Sequence, residues 1–265
     1  MSKYSVISNV RKEFISSFLK KKERVDGRAF DEMRSADIQV NPVPHAEGSA
    51  IASLGKTQVL AGIKLDIVEP FPDEPTKGVL ISNAELLPLA SKYFEPGPPN
   101  EVSIEFARVV DRAVRHSEAL DMEKLFVEDE KVIGVFMDLY VVDYDGNLFD
   151  AAVLAASAAL KNCRLPKIED GKFVRTESSG NLPIEEKNLP VSCTFSKIDG
   201  SILLDPGMDE EMASDAMMTL GFTDGHVVSM QKRGTGSFKK SEVLNMVDIA
   251  FSKHDGLKKV LEVSS

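Results

Sequence analysis

A turn near the middle of the chain, followed by a predicted helix, has the form of a phosphate-binding corner but lacks the side chains that bind phosphate. A largely apolar stretch ends at Asp145-Gly146, and an alanine-rich stretch follows. A helix that starts after such a turn offers free N–H groups and a positive dipole end to an anion. A functional site would add Arg, Ser or Thr there, whereas this sequence has Leu148, Phe149 and Asp150.

Asp150 opposes phosphate binding instead of supporting it. Two like charges ~4 Å apart repel each other by roughly 4 kcal/mol at an effective dielectric constant of ~20. We expect Asp150 to accept a hydrogen bond from an N–H group at the helix start, which is a structural task. The local pattern therefore indicates a phosphate-binding scaffold from which the chemistry has been removed.

Three arginines lie along one side of a helix predicted for residues 101–118. The buried side of this helix is predicted to contain Phe106, Val109, Val110, Ala113 and Val114. The other side carries Arg108, Arg112 and Arg115. We expect Glu105 and Asp111 to compensate part of the charge of Arg108 and Arg112, which favours a solvated, salt-bridged helix face. The functional alternative is a pair of guanidinium groups that binds a nucleic-acid backbone.

An acidic cluster lies in the segment LLDPGMDEEMASD. Its members are Asp205, Asp209, Glu210, Glu211 and Asp215. A carboxylate at a strand end, with a second one about six residues later, could act as a general acid or hold a metal ion. The simpler interpretation places residues 209–211 in the first turn of a helix, where the dipole favours negative charge.

Other motifs give no pattern for a cofactor or a metal. The Gly-rich basic loop at residues 232–238 matches neither the P-loop nor the dinucleotide-binding pattern. The turn at residues 143–146 lacks the later ligands of a calcium loop. Cys163 and Cys193 lie in apolar stretches and have no metal-ligand spacing with the four histidines, so we predict two buried free thiols. The sequence predicts no cofactor and no metal.

Composition and charge bound the function. The chain has 265 residues, 43% of them hydrophobic, which is enough to bury a core as one large or two small domains. Its net charge of −10 argues against general nucleic-acid binding by the isolated chain but allows a local basic face.

The N-terminal segment reads as an amphipathic helix rather than a signal peptide. Apolar residues recur at helical spacing among several lysines: Ile7, Val10, Phe14, Phe18 and Leu19. No apolar run approaches membrane length, so we predict a cytoplasmic protein without a membrane partner.

The remaining pattern predicts an α+β or mixed α/β chain with two halves of similar size. Before residue 166 we predict strands at 36–40, 48–54, 57–68, 79–89 and 132–142, with helices at 101–118 and 149–162. The polar segment 166–190 is predicted to be a boundary or long connection. After it we predict strands at 191–197, 201–204, 215–223 and 226–232, with helices at 208–214 and 239–262.

Five motifs, in this order along the chain, resemble the RNase PH family. They are RVDGR (24–28), HAEGSA (45–50), IEFARVVDRAVR (104–115), DLYVVDYDG (138–146) and LLD (203–205). The segment 83–125 is more narrowly similar to one branch, the non-catalytic RNase PH-like subunit of the archaeal exosome ring. FEPGPP followed by E-x-x-x-E-x-A-R-V-V-D-R carries that narrower resemblance.

The resemblance implies an RNase PH-type two-domain fold with mixed β-sheets and packed helices. We place an N-terminal helix at 1–22, a first domain at 23–185 and a second at 186–265. The resemblance also implies a hexameric ring of three heterodimers with a catalytic RNase PH-like partner, together with RNA-binding cap proteins and single-stranded RNA. Such a ring performs 3′→5′ phosphorolysis, in which inorganic phosphate attacks the RNA end and releases nucleoside diphosphates.

The resemblance also identifies degenerate site positions. Active members carry Gly, Thr or Ser, Arg, and then Thr or Arg where this chain has Asn147, Leu148, Phe149 and Asp150. A second phosphate-binding arginine of single-subunit members falls at Val102. Of the two catalytic acids, Asp205 matches the first, and Glu211 lies within a residue or two of the second. Losing both arginines would leave an attacking phosphate unpositioned.

Arg108 and Arg112 match the arginines that, in the non-catalytic branch, face RNA beside the partner's active site. Arg115 shares this helix face. The leading hypothesis is therefore a structural and RNA-binding subunit that is inactive alone. One alternative is an autonomous phosphorolytic or Mg-dependent exoribonuclease that uses Asp205 and Glu211. A kinase-like enzyme would need a nucleotide-binding Gly/Ser loop, and the only candidate, 234–237, comes too late in the chain.

Overall fold

The computed structural model describes residues 3–263, and the side chains of residues 11–262. The first part of the chain contains α1 (Lys3–Leu19), β1 (Ala36–Val40), β2 (Gly48–Leu54), β3 (Thr57–Val68), β4 (Val79–Leu86), α2 (Glu101–His116), β5 (Phe126–Glu128), β6 (Lys131–Asp143) and α3 (Leu148–Lys161). The second part contains β7 (Arg164–Glu169), β8 (Lys172–Asn181), β9 (Val191–Ile198), β10 (Ser201–Leu204), α4 (Met208–Ala213), β11 (Ala216–Thr223), β12 (His226–Gly234) and α5 (Lys240–Val263). Short 3-10 turns lie at Glu123–Leu125 and Glu186–Asn188.

Two main sheets form the fold. The first has the order β1-β2-β3-β6-β4, with β5 paired to β6, and only the β4–β6 pair is parallel. The second has the order β10-β9-β11-β12 and is antiparallel throughout. The predicted hairpin of β2 and β3 is present, with Leu54 opposite Thr57 across the Gly55-Lys56 turn. The predicted α+β or mixed α/β class is confirmed.

Helix α3 lies between the two sheets and joins them into one core. Every residue from Leu148 to Leu160 is buried, and the helix contacts β2 and β3 of the first sheet and β9 of the second. Alanine side chains allow this close approach because each adds only one methyl group. The approach is tightest at Gly48 in β2, where a Cβ would lie 2.4 Å from the Ala159 carbonyl oxygen.

Helix α2 packs on β4 and α3 and also reaches β12 of the second sheet. Asn100 caps its first turn by accepting a hydrogen bond from the Ser103 N–H group at 3.0 Å. All five residues predicted for the buried side are buried. Of the arginines on the opposite side, Arg112 reaches Gln231 of β12 in the second sheet, whereas Arg115 reaches the Leu80 carbonyl oxygen of β4 in the first.

The segment 166–190 was predicted to be a boundary or long connection, and an irregular connection is wrong over most of its length, because β7 and β8 form a separate two-stranded hairpin there. Strand β8 is exposed along nearly all of its length. Its sequence therefore lacks the apolar alternation from which a strand is predicted. The strand predicted to end at residue 89 ends at Leu86, and a turn follows in which the Ala90 N–H group donates to Leu87.

The N-terminal helix is confirmed, but its buried side differs from the predicted one. Ile15 and Leu19 are buried against the second sheet and α4, whereas Phe14 is exposed. The side chains of Ile7 and Val10 lie outside the described residues. Both cysteines are buried and free, as predicted. Within residues 3–263, no helix has the length and apolar character needed to cross a membrane.

Candidate functional site

The corner between β6 and α3 is a tight left-handed turn that packs on the second half of the chain. Gly146 and Asn147 have φ values of 85° and 52°. A Cβ on Gly146 would lie 2.5 Å from backbone atoms of Gly207 and Met208, so only glycine fits this contact. The corner is therefore held directly against the start of α4.

Asn147, not Asp150, caps helix α3, so the structural task predicted for Asp150 is wrong. The Asn147 side-chain oxygen accepts from the Asp150 N–H group. The Asp150 carboxylate instead accepts from Asn147 Nδ2 at 2.7 Å, the Thr194 N–H group at 2.8 Å, and the hydroxyls of Ser192 and Thr194 at 2.8 and 2.9 Å. Asp150 therefore fastens α3 to β9, whose buried donors need an acceptor.

Burial raises the pKa of Asp150 from its ordinary 3.8 to about 6, against the hydrogen bonds from Asn147 and Ser192 that lower it. Between these two pH values the folded state binds more protons than the unfolded state. Protonated Asp150 therefore contributes to the free energy of unfolding, fully below about pH 3.8, and this contribution is lost as pH rises through about 6.

We expect acidification from pH 7 to pH 4 to stabilise the wild type relative to Asp150→Asn by ~2 kcal/mol. Urea unfolding of both proteins across this range measures the difference. The exposed Asp37→Asn variant is a matched control for the chemical change. The expectation would be contradicted if the difference in free energy of unfolding between wild type and Asp150→Asn changed with pH no more than the difference for Asp37→Asn.

Asp205 is a buried structural anion. It lies in a left-handed conformation, with φ of 50°, and forms ion pairs with Arg28 at 2.8 Å and Arg34 at 2.7 Å. Asn147 donates a further hydrogen bond at 2.7 Å. Burial acts to raise the pKa of Asp205, but hydrogen bonds and charge from Arg34 outweigh it, and the pKa is lowered. Both carboxylate oxygens are therefore already occupied by donors.

Glu211 differs from Asp205 in its environment. Burial raises the pKa of Glu211, although a hydrogen bond from the Tyr144 hydroxyl acts in the opposite direction. Burial and the neighbouring Glu211 also raise the pKa of the Tyr144 hydroxyl. Glu211 thus faces the corner, whereas Glu210 turns away to a buried ion pair with Arg24 at 2.6 Å.

The other two members of the acidic cluster also have cationic partners. Asp209 pairs with Arg11 at 2.8 Å, and Asp215 pairs with Lys12, so both carboxylates tie α1 to the second half. Among the described side chains, no group of three or more His, Cys, Asp or Glu residues could hold a metal ion. The cluster is therefore dispersed into separate contacts.

The positions that would bind phosphate hold apolar side chains. Leu148 and Phe149 are buried, and Val102, in the first turn of α2, is 48% exposed. The Phe149 ring packs against Phe106, and the Arg233 guanidinium lies over the same ring, 5.1 Å from its centroid. The cation against this ring thus comes from β12, a strand that no sequence pattern connected with the corner.

The three arginines of α2 are held in different ways. The Arg108 residue is exposed, and its guanidinium has no hydrogen-bond or ion-pair partner among residues 11–262. Arg112 donates to the Gln231 side chain at 2.7 Å. Arg115 is held by Asp111 at 2.9 Å and by the Leu80 carbonyl oxygen.

The predicted compensation of Arg108 and Arg112 by Glu105 and Asp111 is wrong. Asp111 pairs with Arg115, while Glu105 accepts from Gln231 at 2.9 Å and lies 3.4 Å from Arg233. The reason is the contact of α2 with β12, which supplies Glu105 with partners from another element. Neither carboxylate therefore pairs with Arg108 or Arg112.

Sequence analysis missed several residues of this region. Arg24 and Arg28 stand in the RVDGR motif, which was a signal, but nothing indicated that they would bind the 204–210 segment. Arg34, Gln231 and Arg233 stand in no motif that assigned them a role. Each meets its partner across more than 100 residues of chain.

Comparisons with known proteins identify the family to which this chain belongs. The RNase PH models of the 3′ exoribonuclease family match domain 1 at residues 32–166 and domain 2 at residues 188–253. The chain is 45% identical to the exosome complex component Rrp42 of Thermococcus gammatolerans, covering 98% of this chain and 97% of that protein. It is also 45% identical to the Rrp42 component of Methanothermobacter thermautotrophicus, covering 100% and 98%.

Solved structures show the same fold. A chain of the Archaeoglobus fulgidus exosome with RNA bound to the active site matches with a TM-score of 0.88 and 42% identity, covering 96% of this chain and 98% of that chain. An archaeal exosome core matches with a TM-score of 0.86 and 39% identity, covering 97% and 98%. Rice Rrp46, at 19% identity and a TM-score of 0.68, covering 90% and 98%, shares the fold.

Proposed function

Because this chain belongs to the RNase PH family of 3′ exoribonucleases, we propose that it is a non-catalytic, RNA-binding and structural subunit of a phosphorolytic exosome ring. In this proposal it pairs with a catalytic RNase PH-like subunit, and three such heterodimers form a hexameric ring with RNA-binding cap proteins. One observation carries the proposal: the phosphate corner is filled by Leu148, Phe149 and Asp150, while Arg108 and Arg112 remain uncompensated.

The corner supports the inactive half of the proposal. A phosphate nucleophile needs donors that orient it and offset its charge. Leu148 and Phe149 have no side-chain donor, and the Asp150 carboxylate would repel phosphate if it faced it. Asp205 has both oxygens occupied by Arg28, Arg34 and Asn147. Among the described side chains of the corner, the turn itself therefore offers phosphate no donor, and Asp205 has no free carboxylate oxygen to accept a proton.

The helix face supports the RNA-binding half. Guanidinium groups bind phosphate oxygens with charge-assisted hydrogen bonds, and Arg108 and Arg112 lie one helical turn apart. On a chain of net charge −10 such binding is local and depends strongly on salt. The relatives named exosome components, and the similar archaeal exosome with RNA bound to the active site, favour RNA as the ligand.

We also propose that the division between the two RNase PH-like domains falls between residues 185 and 186, after an N-terminal helix of residues 1–22. The family models leave residues 167–187 unmatched, which is consistent with a division in that segment.

We expect the purified chain alone to release no nucleoside diphosphates from single-stranded RNA and inorganic phosphate, because no group here positions the nucleophile. Mixed with its catalytic partner, it should form a 3:3 assembly that releases them. Mass measurement and chromatography of the products test both statements.

If the chain stays monomeric in the presence of the partner, the proposed 3:3 assembly is wrong. Nuclease activity of the lone chain, with phosphate or with Mg²⁺, would favour the autonomous enzyme instead. Loss of that activity in Glu211→Gln would then identify this acid as part of the machinery.

A further inference from the structure

We infer that Arg233 is a third arginine that contacts the RNA backbone, and that Gln231 is a positioning residue for Arg112. This inference rests on the proposed function and extends the basic face from α2 onto strand β12 and into the altered corner. Its evidence is a continuous series of contacts that links the two elements.

Gln231 lies at the centre of this series. Its side-chain oxygen accepts from Arg112 at 2.7 Å, and its side-chain nitrogen donates to Glu105 at 2.9 Å. One contact uses the amide oxygen and the other the amide nitrogen, so together they fix the orientation of the Gln231 amide. The fixed amide in turn orients the Arg112 guanidinium. Arg112 otherwise makes only a 3.3 Å contact with the Arg108 carbonyl oxygen, so without Gln231 its guanidinium would be free to rotate.

Arg233 is held by two different surfaces. Its guanidinium lies 5.1 Å from the centroid of the Phe149 ring, within the range of a cation–π contact. On another side Glu105 approaches it at 3.4 Å. Burial raises the pKa of Glu211 in the corner, and the charge of Arg233 acts against that rise. Because Glu105 is shared with Gln231, it neutralises Arg233 only in part. The Arg233 side chain is 32% exposed, so some of its donors can reach a ligand.

Phe149 then has a specific role beyond filling the corner. It occupies the position of a phosphate-binding residue in active relatives by resemblance, and here its ring supports an arginine from a different strand. The corner loses the donors of its own turn but keeps one guanidinium from β12. A single guanidinium, partly paired with Glu105, suits the single negative charge of one phosphodiester in a bound strand better than the dianion of free phosphate.

Spacing along the two elements agrees with a row of phosphate contacts. Arg108 and Arg112 are separated by a rise of about 6 Å on α2. Gln231 and Arg233 are two residues apart on β12, about 7 Å, and point to the same side. Lys232, between them, points to the other side, where it donates to the Gly234 carbonyl oxygen. Lys232 is therefore a matched control that carries the same charge.

The test measures binding of a fluorescent single-stranded oligoadenylate to the complex with the catalytic partner, without phosphate, over a series of salt concentrations. We expect Arg233→Gln to weaken binding about three- to tenfold and to reduce the salt slope by about 0.7, the value for one phosphate contact on a single strand. Lys232→Gln should leave both quantities unchanged. Phe149→Leu, which keeps the site apolar but removes the ring, should reproduce part of the Arg233→Gln effect.

Gln231→Leu tests the positioning role. It should weaken binding in the wild-type background and have little effect when Arg112→Gln is already present, because it acts through that arginine. A thermal unfolding midpoint close to that of the wild type separates this effect from a folding defect. Equal effects of Gln231→Leu in both backgrounds would overturn the positioning role.

Arg112→Gln, measured in parallel, separates failure of this inference from failure of the proposed function. If Arg112→Gln weakens binding and Arg233→Gln behaves like Lys232→Gln, the third contact is wrong and the proposed function stands. If neither variant matters, the RNA-binding function itself fails. Calorimetric titration of inorganic phosphate into the full chain tests whether Arg233 binds free phosphate instead of a phosphodiester of RNA. A binding heat that disappears in Arg233→Gln would assign free phosphate and overturn the RNA-backbone contact.

Discussion

Reversing the charges of Arg108 and Arg112 together, as Arg108→Glu with Arg112→Glu, is expected to weaken RNA binding by the assembled ring by roughly 100-fold. Each change removes one cation from the face and adds a carboxylate that repels the backbone. Arg108 has no competing partner among the described residues, and Arg112 has only a neutral amide and a carbonyl oxygen, so the charges of both are available to RNA.

Equilibrium binding at several salt concentrations measures this effect, and the salt slope should fall by about 1.4, corresponding to two single-strand phosphate contacts. Lys20→Glu with Lys21→Glu is a matched control, because it changes the net charge equally. These exposed lysines follow α1, which packs on α4, whereas α2 packs on β4, α3 and the edge strand β12. Equal losses in the two double variants would show that net charge alone acts, and would remove α2 from the binding surface.

Arg115→Gln is expected to have a much smaller effect on RNA binding than either neighbour. Its guanidinium already serves Asp111 and the Leu80 carbonyl oxygen. The same measurement thus ranks the three arginines by how free their charges are, not by their presence on one helix face.

Replacing Arg24 with methionine is expected to lower the free energy of unfolding by about 3–5 kcal/mol. The Arg24 side chain is fully buried and donates to Glu210 at 2.6 and 2.9 Å, as well as to the carbonyl oxygens of Leu204 and Asp205. Without it, the Glu210 carboxylate would keep the Gly207 N–H group as a donor but lose its buried cation, and the Leu204 carbonyl oxygen would lose a donor. Both losses are costly in a low-dielectric interior.

Urea unfolding of the full chain measures this loss. Arg11→Met is the matched control, since Arg11 pairs with Asp209 at side-chain exposures of 33% and 59%, and we expect at most ~1 kcal/mol there. Adding Glu210→Leu to Arg24→Met should recover part of the loss, because it removes the unpaired carboxylate. If Arg24→Met costs no more than Arg11→Met, the assignment of a buried, stabilising ion pair is wrong.

Most elements were predictable because their information is local. The hydrophobic spacing of α2 placed five residues on its buried side, and the short turn between β2 and β3 set their pairing. Strand β8 failed for the same reason: it is exposed nearly throughout, so no periodic burial pattern marks it. The strand that began at residue 79 was predicted too long because a following turn also contains apolar residues.

Local composition alone showed that Leu148 and Phe149 offer no side-chain donor to a phosphate, whatever surrounds them. It was not enough to identify the partners of charged groups. Asp150 was assigned to the helix start but bonds to β9, and Glu105 was assigned to its helix neighbours but serves β12. Such partners are chosen by which elements pack together, and packing joins residues far apart in the chain, where periodicity and turn chemistry carry no information.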